Sequence, residues 1–165
     1  MGLIQVDKKI ITSAATSIAL NGITTDDVYM IAINNFHSNQ NNDEIYMRVN
    51  KSSSAQTDSN YDYVYRKITD AFDFSERSEI SQDKAQIFEN ISSGGGNGIF
   101  YLYNFNSSSL ISTVTIEAVM NISNQDLTNV GGFHHKVQSS SNGVTILGTG
   151  TTNLTGEFYL YQVTS

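Results

Sequence analysis

Residues 98–105 read Gly-Ile-Phe-Tyr-Leu-Tyr-Asn-Phe, and their alternation decides the fold. In an extended chain successive side chains point to opposite faces, so Phe100 and Leu102 share one side and Tyr101 and Tyr103 the other. Four glycines within Ser93–Gly98 mark a turn or loop just upstream. Downstream, Ile111 to Asn121 is a long β-branched stretch suited to a neighbouring strand.

The same rhythm extends outward. Apolar and polar residues alternate over Leu3–Asp7 and around Ile18 and Leu20, ahead of the Asn21-Gly22 turn signal. Val28–Phe36 is nearly continuously apolar, which predicts a strand covered on both faces. Ile45, Met47 and Val49 point one way and Tyr46, Arg48 and Asn50 the other, while Tyr61, Tyr63 and Tyr65 recur with period two. Phe133–Gln138, Val144–Leu147 and Leu154–Val163 follow, separated by Gly- and Ser-rich turns. About ten short strands at intervals of roughly 8–15 residues predict an all-β, antiparallel β-sandwich, jelly-roll-like in spacing, and not a βαβ alternation. No fixed internal repeat points to a propeller or solenoid, so residues 1–165 are expected to form one β-sandwich domain.

Composition agrees. The 17 Asn, 21 Ser and 15 Thr make up about a third of the chain, and such side chains compete with helix for backbone hydrogen bonds. Charged residues are 15%, against about 25% in ordinary soluble domains, which leaves little to coat long surface helices. The one departure is 66–91, where charges crowd among Phe72, Phe74, Ile80, Ile87 and Phe88 at irregular spacing. This predicts a short helix or an ordered excursion, either a solvated crossover between sheets or an arm toward a neighbouring subunit.

Several function classes are excluded or disfavoured. The chain has no cysteine, hence no disulfide, thiolate metal site or cysteine nucleophile. A net charge of −7 has the wrong sign for a general nucleic-acid binder, and no apolar run approaches the roughly 20 residues of a membrane-spanning helix. Neighbouring strand residues diverge, so His134 and His135 cannot readily share a metal, and His37 is remote in sequence. Asn39–Glu44 resembles a calcium loop but lacks its turn glycine and correctly placed glutamate; Asx-turn chemistry accounts for it better. Asp26-Asp27 is an ordinary post-turn pair, and no nucleophile elbow anchors any of the many serines. Gly94–Gly98 precedes a strand and lacks the lysine of a phosphate loop. The expectation is a non-enzyme with no catalytic, metal or cofactor-binding residues.

The tyrosines are more informative. If Phe100, Leu102, Phe158 and Leu160 face the core, Tyr101, Tyr103, Tyr159 and Tyr161 face outward, and Tyr61, Tyr63 and Tyr65 are placed with them. Tyrosine suits contact surfaces because an apolar ring ends in a hydrogen-bonding tip. These seven residues are the candidate protein contacts, as a subunit seam or a saccharide platform.

A resemblance runs along the chain through Leu3-Ile4-Gln5-Val6, Asp27-Val28-Tyr29, Ser59–Arg66, Gly98–Phe105, Gly131-Gly132-Phe133-His134 and Thr155–Tyr161. In these it is similar to small β-sandwich virion proteins of tailed bacteriophages, notably cyanophages. Such proteins often close on Leu-Tyr-Gly; here Gln162 stands in place of the glycine. The resemblance implies a capsid decoration (cement) protein or a tail-fibre component, often trimeric, and carries no catalytic residues. The expected partners are the major capsid protein and two further copies in a homotrimer, without nucleic acid or membrane. The expected location is the virion, assembled in the host cytoplasm. With a first strand expected almost at Met1, decoration is favoured over a fibre's receptor-binding module holding host surface glycan.

Overall fold

The computed structural model describes residues 2–39, 43–71, 73–91, 95–122, 125–150 and 152–164. Among them run thirteen strands and no helix: β1 (Gly2–Ala15), β2 (Ser17–Asn21), β3 (Tyr29–Ser38), β4 (Asp43–Lys51), β5 (Ser54–Ala55), β6 (Tyr61–Thr69), β7 (Phe74–Gln82), β8 (Ala85–Ile91), β9 (Gly96–Tyr103), β10 (Ser112–Ile122), β11 (Gln125–His135), β12 (Gly143–Gly148) and β13 (Leu154–Thr164). Eight form one sheet in the order β1-β13-β3-β9-β10-β11-β6-β7, all pairs antiparallel. The second sheet runs β2-β12-β4-β5, with β8 also paired to β4. β1 gives way to β2 across the single residue Thr16, so one stretch of chain serves both sheets. The arrangement is the sandwich-like all-β antiparallel one that the alternation predicts; the strand order does not by itself establish a jelly roll.

Burial follows the two-residue period. Phe100 and Leu102 of β9, Val114 and Ile116 of β10, and Phe158 and Leu160 of β13 join one core with Ile45, Met47 and Val49 of β4 and Val144 and Ile146 of β12. Phe88 of β8 links the layers. Its ring stacks on Phe36 of β3 (centroids 5.2 Å apart, 11° between planes) and meets Phe100 edge-on at 5.8 Å. Such offset-stacked and edge-to-face pairs add to the burial of the rings themselves.

Two sequence expectations change. Among the described residues of 66–91 no helix forms: the ordered excursion is the end of β6, then β7 and β8, crossing between sheets at Asp83-Lys84. Most of its charges are partnered with other segments, Arg66 on Glu76, Lys67 on Glu89, Arg77 on Glu44 and Asp83 on Arg48, while Arg77 also meets Glu79 along β7 itself. A charge-dense strand at a sheet edge has water on one side, so helical spacing is not needed to place its ions. Phe72 lies outside the described residues. β3 is covered on one face only; Ile31 and Ile33 are buried, whereas Met30 and Ala32 are half-buried on the outer face.

Gly131 and Gly132 let β11 approach its neighbours closely. A Cβ at Gly131 would stand 2.3 Å from the Val64 carbonyl oxygen on β6, and one at Gly132 2.4 Å from the Val114 carbonyl oxygen on β10.

Candidate interaction surface

The seven tyrosines divide into two groups. Tyr61, Tyr63 and Tyr65 are not on the surface; their rings are buried in the core. This overturns their outward placement, and the reason lies at the polar tips. β6 is next to the sheet's edge, where groups from the second sheet reach in between the layers. The Tyr61 hydroxyl donates to the Gln56 carbonyl at 3.0 Å and accepts from the Val49 N–H at 3.1 Å, and the Tyr65 hydroxyl donates to Glu89 at 3.0 Å. A tyrosine whose hydroxyl is satisfied buries as readily as a phenylalanine. Tyr63 lies parallel to Tyr65, with 6.3 Å between centroids.

Tyr46 joins this seam, donating to Glu44 with the Lys84 ammonium 4.3 Å from its ring centroid. Burial first, then the neighbouring carboxylates Glu44 and Glu89, push the Tyr46 and Tyr65 hydroxyls well above their usual range. Burial alone would raise Glu44 also; the hydrogen bonds from Tyr46 and Arg77 outweigh it and hold that carboxyl below its ordinary value.

Tyr101, Tyr103, Tyr159 and Tyr161 stand half-buried on the outer face of the eight-stranded sheet. The tetrapeptide Phe-Tyr-Leu-Tyr occurs twice, at 100–103 in β9 and 158–161 in β13, and the two copies flank β3. Tyr101 and Tyr161 thus oppose Met30 from either side, and Tyr159 opposes Ala32. Tyr159 and Tyr161 stack at 6.1 Å with 16° between planes. The Lys8 ammonium lies 5.3 Å from the Tyr159 ring centroid, and the Tyr159 hydroxyl donates to Glu157 at 2.7 Å.

The other half of this face is aliphatic. Ile99, Val119, Val130, Val64 and Ile80 are all exposed, from 43% at Ile99 to 72% at Ile80. Around Ile99, Glu117, Val119, Thr128 and Val130 runs a groove of about 410 Å³, and beside it, around Val64, Ile80, Thr115, Gly132 and His134, another of about 440 Å³. Single exposed aliphatics are ordinary, but a contiguous set rimmed by polar groups marks a contact surface. Sequence reasoning stopped at the tyrosines and passed over these residues. The signal was present: Ile99 shares the parity of Tyr101 and Tyr103, and Val119 lies opposite in parity to the core residues Ala118 and Met120.

His134 and His135 diverge. His134 is exposed and bonds Thr113 at 2.9 Å, whereas His135 is buried, bonds Asp58 at 3.0 Å and rests on the Tyr61 ring. Among the described residues no three His, Asp or Glu side chains are grouped to hold a metal ion. Asp26 and Asp27 part as well, Asp27 accepting from Thr25 and Gln162, each at 2.7 Å. Gln40, Asn41, Asn42 and Gly94, from the two loops weighed above, lie outside the described residues. No protein family, curated protein or solved structure matches the chain.

Proposed function

We propose that this chain is a virion structural protein of a tailed bacteriophage, a decoration (cement) protein on the head exterior that works by adhesion. The observation that carries this reading is the outer face of the eight-stranded sheet, where four half-buried tyrosines flank β3, Tyr101 and Tyr161 in register across Met30, beside an aliphatic field. Rigid aromatic contacts on a sheet lose little conformational freedom on docking and combine apolar area with a hydrogen bond. The partner is the major capsid protein, and a homotrimer suits a threefold lattice point with closed symmetry. A protein that binds only assembled shells stabilises them by mass action. The location that follows is the particle, put together in the host cytoplasm. The stacked pair Tyr159–Tyr161 favours one alternative, a receptor-binding module of a tail fibre that seats a host glycan on those rings.

Particles lacking the protein, and particles carrying the double variant Tyr101→Ser, Tyr103→Ser, test the reading. Both are expected to rupture at lower temperature or milder osmotic shock than complete particles. Unchanged shell stability with impaired adsorption to cells selects the glycan reading; no change in either property refutes both.

A further inference from the structure

Glu117 occupies the middle of the outer face, on β10, with Ile99 and Val130 directly opposite on the neighbouring strands. It lines the 410 Å³ groove together with Asn97, Val119 and Thr128. Among the described side chains it is the one strand carboxylate without a hydrogen-bond or ion-pair partner: Asp7, Glu44, Asp62, Glu76, Glu79, Glu89, Asp126 and Glu157 are all engaged. A carboxylate covered by another surface loses its hydration, and a cation is the partner that compensates its charge most fully. A positive charge is therefore the best complement to Glu117 in a covered groove.

A second copy of the chain is poorly equipped to do so. Of nine Lys and Arg, Lys9, Arg48, Arg66, Lys67, Arg77 and Lys136 lie on carboxylates, and Lys8 and Lys84 on tyrosine rings. Lys51, at the end of β4 in the other sheet, is the one without such a partner among the described residues. The charge balance of −7 likewise favours a foreign, basic partner over self-association through this face.

We propose that the groove docks an extended segment of a different protein, one that presents a single Arg or Lys between aliphatic side chains. The cation meets Glu117, and the aliphatics cover Ile99, Val119 and Val130. This goes beyond the adhesion reading, because it uses the half of the face that carries no tyrosine.

The probes are n-butylguanidinium and its neutral counterpart n-butylurea, titrated separately into the nitrogen-15-labelled 165-residue chain. Amide shifts are expected at Ile99, Val119, Thr128 and Val130, with the cation binding at least about threefold more tightly than the urea, as one exposed ion pair allows. Glu117→Gln should bring that ratio to about one while the spectrum keeps its dispersion. Should that variant fail to fold, raised salt on the natural chain should erase the preference instead. Equal binding of both probes, binding of neither, or a preference that survives loss of the charge overturns the proposal. So does self-association in sedimentation velocity that Glu117→Gln abolishes, which would seat a second copy in the groove. Either failure leaves the tyrosine contacts untouched, since those are read from particle stability.

Discussion

Two phenylalanines of the charge-rich segment make opposite predictions from the same structure. Phe88 is fully buried and stacks on Phe36 while meeting Phe100 edge-on; Phe74, fourteen positions earlier, is 66% exposed. Truncating a buried phenylalanine to alanine costs about 3–5 kcal/mol, and loss of two ring pairs puts Phe88→Ala at the upper end. With a urea m-value of ~2.5 kcal/mol/M for a chain of this size, the unfolding midpoint should fall by roughly 1.5–2 M. Phe74→Ala should move stability by no more than about 0.5 kcal/mol. Urea titrations of both variants, followed by tyrosine fluorescence and far-ultraviolet circular dichroism at one fixed protein concentration, make the comparison. If Phe88→Ala moves the midpoint no further than Phe74→Ala, the Phe88 ring does not lie between the layers, and the account of how the two sheets meet is wrong.

Gly132→Ala pushes a methyl to within 2.4 Å of the Val114 carbonyl oxygen, so the β10–β11 pair must part slightly. A loss of about 1–3 kcal/mol is expected, and an unchanged midpoint would refute that close approach. Glu44 has its carboxyl held low in the folded state, so its contribution is complete above the unfolded value near 4.3 and fades as pH falls through the folded value. Glu44→Gln should therefore be less stable than the natural chain at pH 7, with the gap narrowing as the medium is acidified below the ordinary glutamate range. A gap independent of pH would dismiss Glu44 as a source of acid sensitivity.

The legible parts of the fold are those where one face of a strand alone meets the core. In β9 and β13 the residues Phe100, Leu102, Phe158 and Leu160 face inward and are plainly more apolar than the tyrosines opposite, so parity gave both the strands and their outer face. β6 defeated the same rule. Its inward residues are Tyr61, Tyr63 and Tyr65; the Tyr61 and Tyr65 hydroxyls are met by the Val49 N–H and the Glu89 carboxylate on strands of the other sheet and by the Gln56 carbonyl of the loop that precedes β6. Nothing local tells a satisfied buried tyrosine from an exposed one. β7 and β8 were obscured for a related reason, because Glu76 and Arg77 look like part of a solvated helix or loop until their partners Arg66 and Glu44 are brought beside them. The aliphatic half of the candidate surface was hidden by expectation alone: Ile99 and Val130 are residue types ordinarily assigned to a core.

β13 comes last in chain order among the thirteen strands described, yet it lies inside its sheet, between β1 and β3. Pairings such as Gly2 with Thr164 join residues 162 positions apart in sequence. On the ribosome, then, β3 must wait with one flank unclaimed until β13 clears the exit tunnel, and β1 has no strand to pair with before that moment. Closure is a late, long-range event of the kind that slows β-rich chains, and for its duration two bare flanks compete for any stray strand nearby.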